Sequence, residues 1–158
     1  MSINPYKESM FSLGVFIRHS YIIASLFDSN HICISSKQIH SQYPLTPGLT
    51  AVSVCELVES IDQDKKSGCI GITLNALINK HTRLVSSFDN SKYWVDVPLA
   101  DWIEARLERN VYLVSQDLCN VETLSNATTS SRSNNDHSVV FFAASFALDN
   151  FKNHLLSF

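Results

Sequence analysis

Four cysteines are the residues whose type could hold a metal ion or carry redox chemistry in this 158-residue chain: Cys33, Cys55, Cys69 and Cys119. No two of them form a C-x-x-C pair, and only Cys33 has a histidine, His31, within two residues. Structural zinc sites usually take their ligands in close pairs, so this spacing argues against a zinc site. We expect four reduced and mostly buried thiols.

Glycine is scarce, which limits the phosphate chemistry that the chain could perform. Only four residues are glycine, no two of them adjacent, against a usual share of ~7%. A P-loop, a G-x-G-x-x-G turn and a G-x-S-x-G nucleophile elbow are therefore excluded. The six histidines are scattered without a nucleophile motif, so a Ser-His-Asp hydrolase is not indicated either.

Composition predicts one globular domain, with 45% hydrophobic and 17% charged residues in 17.7 kDa. The net charge is -3 and the basic residues form no cluster, so we expect no nucleic-acid partner. The longest apolar run, 139–148, is far shorter than the ~20 residues that span a bilayer. No signal peptide is evident, so we expect a cytoplasmic protein without a membrane partner.

Two short apolar stretches at residues 10–17 and 21–27, followed by a loosely alternating stretch at 31–39, predict an antiparallel meander of strands. A helix should begin at Thr46, because Thr is a good N-cap and Pro47 suits the first turn. Its apolar stripe is expected at Leu49, Val52, Cys55, Val58 and Ile61.

The second half of this region repeats a strand–helix–strand pattern. Residues 69–73 predict a buried strand, and a strand pair is expected around 82–87. A helix should follow Pro98, with Asn110 as its C-cap and a strand at 111–114. One face of this helix is expected to carry Leu99, Trp102, Ile103, Arg106 and Leu107. The order β-β-β-α-β-α-β predicts a mixed sheet covered by helices.

The C-terminal part departs from this regularity. Residues 123–138 are polar and predict a linker or loop. Residues 139–146 are apolar again and are expected to form a strand, and 147–158 a strand or a short helix.

The segment from Cys69 to Glu122 resembles the ROK family of bacterial sugar kinases. It carries Trp94-Val95-Asp96-Val97-Pro98-Leu99-Ala100-Asp101-Trp102, similar to the family's W-x-D-V-P-L-x-x-W, and then Ser115-Gln116-Asp117 after a strand, where the family has Glu-Asn-Asp. The resemblance implies a ribonuclease H-like (actin-like ATPase) lobe: an α/β fold with a five-stranded mixed sheet in order 3-2-1-4-5. It also implies a lobe at 1–122, a linker at 123–138, and at 139–158 the start of a second lobe or a C-terminal helix.

Three site residues follow from the resemblance. Asp117 matches the general base that takes the proton from the attacking sugar hydroxyl; without the family, it reads as a helix N-terminal carboxylate. Asn90 matches a sugar-binding Asn, and otherwise reads as a turn residue. Gln116 is a candidate sugar-binding residue that stands where the family has Asn, and its extra methylene displaces any hydrogen bond to the sugar.

The departures from the family concern phosphate and metal binding. The family's first strand runs into Asp-x-Gly-Gly-Thr, which positions Mg²⁺ and phosphates, whereas this chain has Phe16-Ile17-Arg18-His19-Ser20. Arg18 and His19 stand where a tight turn favours glycine, and Arg18 is expected at a solvated hairpin tip. Asn75-Ala76-Leu77 replaces Pro-Gly-Pro, Phe146-Ala147-Leu148 replaces Gly-Thr-Gly, and the family's zinc motif has no counterpart.

These observations predict a ROK-like protein, truncated relative to its family, that lacks phosphoryl transfer although family members use ATP and Mg²⁺ to phosphorylate hexoses. No metal or cofactor is assigned to it, and a hexose is the expected ligand. The alternative is a non-enzymatic interaction or sugar-binding module that forms a homo-oligomer through apolar surface left exposed on a single lobe.

Overall fold

A five-stranded mixed sheet carries the fold in the computed structural model, which describes residues 10–41, 46–118 and 132–156. The main strands are β1 (Phe11–Ile17), β2 (Tyr21–Phe27), β3 (Cys33–His40), β4 (Ser67–Leu74) and β7 (Asn110–Ser115), in the order β3-β2-β1-β4-β7. Strands β1, β4 and β7 are parallel, and β2 and β3 complete an antiparallel meander. Counted in chain order, these five strands confirm the predicted sheet order 3-2-1-4-5.

Helices cover both faces of this sheet. Helices α1 (Pro47–Ile61) and α2 (Leu99–Leu107) pack on one face, where residues such as Val58 and Ile103 join a large buried cluster with the sheet. A hairpin of β5 (Leu77–Ile78) and β6 (Val85–Ser86) precedes a 3-10 turn at Phe88–Asn90. Helix α3 (Arg132–Leu156) covers the other face, and no helix of the described residues is long and apolar enough to cross a membrane.

Helix α3 corrects the prediction for the C-terminal part. Residues 139–146 are helical rather than a strand, and the helix starts within the stretch predicted as a linker.

Gly14 and Gly71 are directly paired neighbours on β1 and β4. A Cβ at Gly14 would collide with the carbonyl oxygen of Val140, and one at Gly71 with that of Ala143. The two glycines therefore let the backbone of α3 approach the sheet closely.

The first two helices confirm their predicted starts and correct their predicted faces. Thr46 caps α1 by accepting a hydrogen bond from the Leu49 N–H at 3.4 Å. Leu49 and Val52, expected in the buried stripe, are 56% and 44% exposed, because the helix buries a rotated stripe that includes Val54 and Leu57.

Helix α2 differs from its prediction at both its face and its end. Trp102, expected on the apolar face, is 43% exposed, whereas Leu99, Ile103 and Leu107 are buried. The helix is capped by Glu108 in a left-handed conformation (φ 58°), and not by Asn110, which already belongs to β7.

A buried ion pair joins the amino-terminal ends of β4 and β7. The Arg109 guanidinium donates to Asp62 Oδ2 at 2.6 Å and to the Ser67 hydroxyl at 2.8 Å. Burial raises the pKa of Asp62, but hydrogen bonds from Ser67 and Lys66 and the Arg109 charge outweigh this effect and leave the pKa below its ordinary value. This cluster ties the end of α1 to the start of β7.

Candidate functional site

The carboxyl ends of the three parallel strands meet at one edge of the sheet. The pairing registers place Ile17, Leu74 and Ser115, the last residues of β1, β4 and β7, in one row. The segments that follow these strands therefore emerge side by side, as is usual where open α/β sheets bind ligands. These segments begin with Arg18 after β1, with Asn75 after β4 and with Gln116 after β7.

The turn that carries Asn90 is attached to this edge through Asn75. The Asn75 side-chain amide donates to Asp89 Oδ1 at 3.1 Å, and the Asp89 N–H donates to the Asn75 carbonyl at 3.0 Å. His19 Nδ1 lies 3.6 Å from the other oxygen of Asp89. Asp89 and Asn90 both have positive φ angles, 49° and 61°, which non-glycine residues rarely adopt. Asn90 is exposed at this sharp bend.

Gln116 and Asp117 follow β7 directly, in a helical turn at residues 116–118. Asp117 is exposed and opens onto a groove of about 800 Å³ beside β7. Ser115 also lines this groove, whereas Asn90 does not. The structure thus brings the three predicted residues to one end of the sheet, with Asp117 as the member that faces a cavity. A carboxylate there could accept hydrogen bonds from ligand hydroxyls.

The walls of this groove come from α3 and from the β5–β6 hairpin. Phe146, Asn150 and His154 of α3 form one side, and residues 76–80 form the other. Tyr112 of β7 also lines it. Burial raises the pKa of Tyr112, and the nearby Cys69 and Glu104 add to this rise, so its phenol remains neutral.

The outer edge of β7 is closed at one point by an ion pair. The Glu104 carboxylate accepts from the Val111 N–H at 2.8 Å, and the Arg83 guanidinium donates to the Val111 carbonyl at 2.9 Å. Arg83 and Glu104 also pair with each other at 2.9 Å. Together they satisfy the backbone groups that a further strand would otherwise use.

The β1–β2 turn is exposed and also contacts helix α3. Asp136 of α3 accepts a 2.6 Å hydrogen bond from the Tyr21 hydroxyl and lies 3.4 Å from the Arg18 guanidinium, which also stands over the Tyr21 ring. Arg18 is exposed at the hairpin tip, as expected, with 43% of its side chain accessible, but it also contacts α3 through Asp136. No residue of 18–20 has a positive φ, so this turn does not require glycine either.

The end of β1 does not fit Mg²⁺ or nucleotide phosphates. Phe16, which stands at the position of the family's metal-positioning Asp, is 1% exposed and packs against α3. It offers no oxygen to a hard cation. Within the residues that the structure describes, no group of three or more His, Cys, Asp or Glu side chains could hold a metal ion.

Sequence reasoning missed Asp89 and Asp136, whose partners lie far away in the chain. Asp136 stands in a polar stretch that predicts a linker, and no local pattern connects it to Tyr21. For Asp89 the available signal was its place directly before Asn90, in a segment with many turn-forming residues.

A comparison with protein-family models relates this chain to a known family. A model of the ROK family matches residues 13–144. No curated protein matches the chain significantly.

Solved structures share the fold at low sequence identity. An inorganic polyphosphate/ATP-glucomannokinase from Arthrobacter sp. strain KM aligns with a TM-score of 0.58 and 22% identity, over 67% of this chain and 44% of that one. A ROK family glucokinase from Streptomyces griseus, in complex with glucose and AMPPNP, aligns with 0.58 and 21%, over 66% and 33%. A ROK family protein from Streptococcus pneumoniae, in complex with sucrose, aligns with 0.58 and 13%, over 74% and 39%. The chain thus spans between a third and a half of the length of these structures.

Proposed function

The chain belongs to the ROK family, and we propose that it is a sugar-binding lobe of the ribonuclease H-like type that does not itself transfer phosphate. The observation that carries this proposal is the common row of strand ends, which places the Asn90 turn, Gln116 and Asp117 at one edge of the sheet. Glucokinase and glucomannokinase structures share this fold. We therefore take a hexose as the ligand of this edge.

The side chains at this edge suit a polyhydroxylated ligand. An amide such as that of Asn90 or Gln116 both donates and accepts hydrogen bonds, as each sugar hydroxyl does, and the Asp117 carboxylate accepts from hydroxyls. A hydrogen bond to a charged group contributes about 1.5–3 kcal/mol. Asp117 would hold and orient a hydroxyl that, in a complete kinase site, would attack a phosphoryl group.

The absence of phosphoryl transfer is inferred from the end of β1. Phosphoryl transfer depends on positioning the phosphates and neutralising their charge with metal ions and cationic groups. Here Phe16 is buried in the core, and the Arg18 guanidinium faces Asp136. We therefore derive no step through ATP or Mg²⁺ in this chain.

Calorimetric titration with a panel of hexoses tests sugar binding. We expect one hexose to bind, with at least about tenfold weaker affinity for Asp117→Asn and Asn90→Ala, since each 1.4 kcal/mol is a factor of ten. Asp64→Asn is the matched control, because Asp64 is exposed in the loop between α1 and β4, at the other end of the sheet. If no hexose binds to the wild type, the sugar-binding proposal is wrong.

Incubation with ATP, Mg²⁺ and the same hexoses tests the absence of transfer. We expect no sugar phosphate from the wild type. Sugar phosphate that forms with the wild type and disappears with Asp117→Asn would overturn this part of the proposal and leave sugar binding intact.

A second candidate function is self-association through an apolar patch on α1 and α2, made of Leu49, Val52 and Trp102. All three side chains are exposed, and Val52 and Trp102 line a hollow of about 280 Å³ together with Cys55 and Arg106. Arg106 pairs with Glu59 at 2.7 Å, so the patch has both charge signs beside it. A twofold contact between identical copies can match such a surface with itself, which favours a second copy as the partner.

Sedimentation velocity over a range of concentrations tests this self-association. We expect concentration-dependent dimers that Trp102→Glu abolishes and Tyr93→Glu, at an exposed aromatic residue outside the lining of this hollow, does not. A monomer at all concentrations would remove this candidate.

A further inference from the structure

The groove beside β7 is larger than one hexose requires. Pockets of about 300–1,000 Å³ usually hold drug-sized ligands, and this groove, at about 800 Å³, lies in the upper part of that range. It extends from Asp117, at the carboxyl end of β7, to Asn110 at the start of the strand. A hexose held at Asp117 would leave the rest of the groove empty.

The side chains along the groove suit a chain of sugar rings. Phe146 and Tyr112 are half-buried aromatic residues in its lining, and aromatic rings offer apolar surface to the C–H faces of pyranoses. Asn150 is fixed by the hydrogen bond from its Nδ2 to the Phe146 carbonyl at 2.8 Å. Asn79 is fixed by two backbone N–H groups, of His81 and Thr82, that donate to its Oδ1. Fixed amides can meet hydroxyl groups without losing much side-chain entropy.

An extended peptide fits this groove less well than a glycan. A peptide that added to the edge of β7 would need the outward-facing N–H and C=O groups of alternate residues. At Val111 both groups are already bonded to Glu104 and Arg83. The strand edge is thus closed at one of its outward positions, whereas the groove walls formed by the described residues present side chains to which a ligand can bind.

We propose that this groove binds a linear oligosaccharide, with one sugar ring at Asp117 and further rings beside Phe146 and Asn150. The proposal rests on the proposed sugar binding and adds the length of the ligand to it. It predicts that affinity depends on the number of linked rings.

Titration of the full chain with glucose- and mannose-based ligands of one to four rings tests the proposal. We expect affinity to rise at least tenfold from one ring to two or three, and then to level off when the groove is full. Phe146→Ala should abolish this gain, so that its affinity no longer depends on the number of rings. Phe141→Ala is the matched control, because Phe141 lies on the same helix, is 40% exposed and does not line the groove.

Asn150→Ala gives a second readout if Phe146→Ala does not fold, since Phe146 packs against a buried apolar cluster whereas Asn150 is polar. We expect it to reduce the gain severalfold. Equal affinity for ligands of every length would overturn the inference and leave sugar binding at Asp117 intact. A gain with length that neither Phe146→Ala nor Asn150→Ala changes would also overturn it, because the further rings would then bind elsewhere. No binding at any length would contradict the proposed function itself.

Discussion

Substitution of Gly71 by alanine tests the packing of helix α3 on the sheet. The added Cβ would collide with the carbonyl group of Ala143 and lie 3.0 Å from the Cβ of Ala147. The first obstacle is backbone, so no side-chain rotation can relieve it, and the helix must move away from β4. Such a movement weakens the contacts of residues that α3 buries along its length: Val139, Val140, Ala143, Ala144, Ala147 and Leu148.

The cost is expected at the upper end of the range for overpacked cores. Extra methylenes in well-packed cores cost about 1–3 kcal/mol, and a backbone obstacle suggests about 3 kcal/mol here. For a domain of this size, about 3 kcal/mol corresponds to a fall in Tm of roughly 6–12 °C. Urea denaturation and calorimetry would measure both quantities.

Gly48→Ala is the matched control for this substitution. Gly48 lies in the first turn of α1, and a Cβ there would meet nothing within 4 Å. Alanine is favoured over glycine in helices by up to about 1 kcal/mol, so this variant should be equal to or slightly more stable than the wild type. Gly14→Ala should resemble Gly71→Ala, and the double variant should cost less than the two together, because one displacement of α3 relieves both collisions. A free energy of unfolding for Gly71→Ala within about 0.5 kcal/mol of the wild type would refute this packing.

Four further substitutions test three other contacts by denaturant unfolding. Asp62→Asn leaves the Arg109 charge buried without its partner, and should cost about 3–5 kcal/mol at neutral pH. Because the pKa of Asp62 is lowered on folding, this contribution should be present above the ordinary pKa of 3.8 and disappear as the pH falls below it, so a pH-independent difference between the two proteins would contradict it. Thr46→Ala removes the cap of α1 and should cost about 0.5–2 kcal/mol, and no change would mean that the helix start is frayed. Tyr21→Phe and Asp136→Asn should show a coupling of at least about 0.5 kcal/mol in a double-mutant cycle, whereas additive effects would show that the β1–β2 turn does not hold α3.

The sheet could be predicted from the sequence because most of its strands are short apolar runs between turn residues, and the polar β3 follows a clear turn after β2. The element order alone predicted a meander joined to parallel strands in a mixed sheet, whereas the strand order 3-2-1-4-5 came from the resemblance to the ROK family. The registers, which place Ile17, Leu74 and Ser115 in one row, could not be predicted, because they depend on packing across the whole sheet.

The face that a helix buries was less predictable than its start. Leu49 and Val52 have the apolar spacing of a buried stripe, yet the structure exposes both and buries Thr50 and Val54 instead. A helix with apolar residues on several sides has more than one plausible buried stripe. Its packing against the sheet and α2 determines which stripe is buried. The Arg109–Asp62 pair was unpredictable for a similar reason, since its members are brought together by two different elements.

Helix α3 was mistaken for a strand although its sequence carried a usable signal. Residues 139–146 are apolar and begin with two valines, which favours a strand locally. Its buried positions Val140, Ala143, Ala144, Ala147 and Leu148 nevertheless follow the helical spacing of three and four residues. The small side chains in this series are those that can lie over glycine on a sheet.

Two glycines of this chain lie at contacts between a helix and the sheet, and none lies in the β1–β2 turn. Gly14 and Gly71 stand where a helix backbone meets the sheet, and no residue of the β1–β2 turn needs glycine for its backbone angles. The turn can therefore carry Arg18, which faces Asp136 of α3. On the β7 side of the same edge, Asp117 is exposed beside the large groove. At this edge the end of β1 therefore contacts a helix, whereas the end of β7 carries the groove in which sugar binding is proposed.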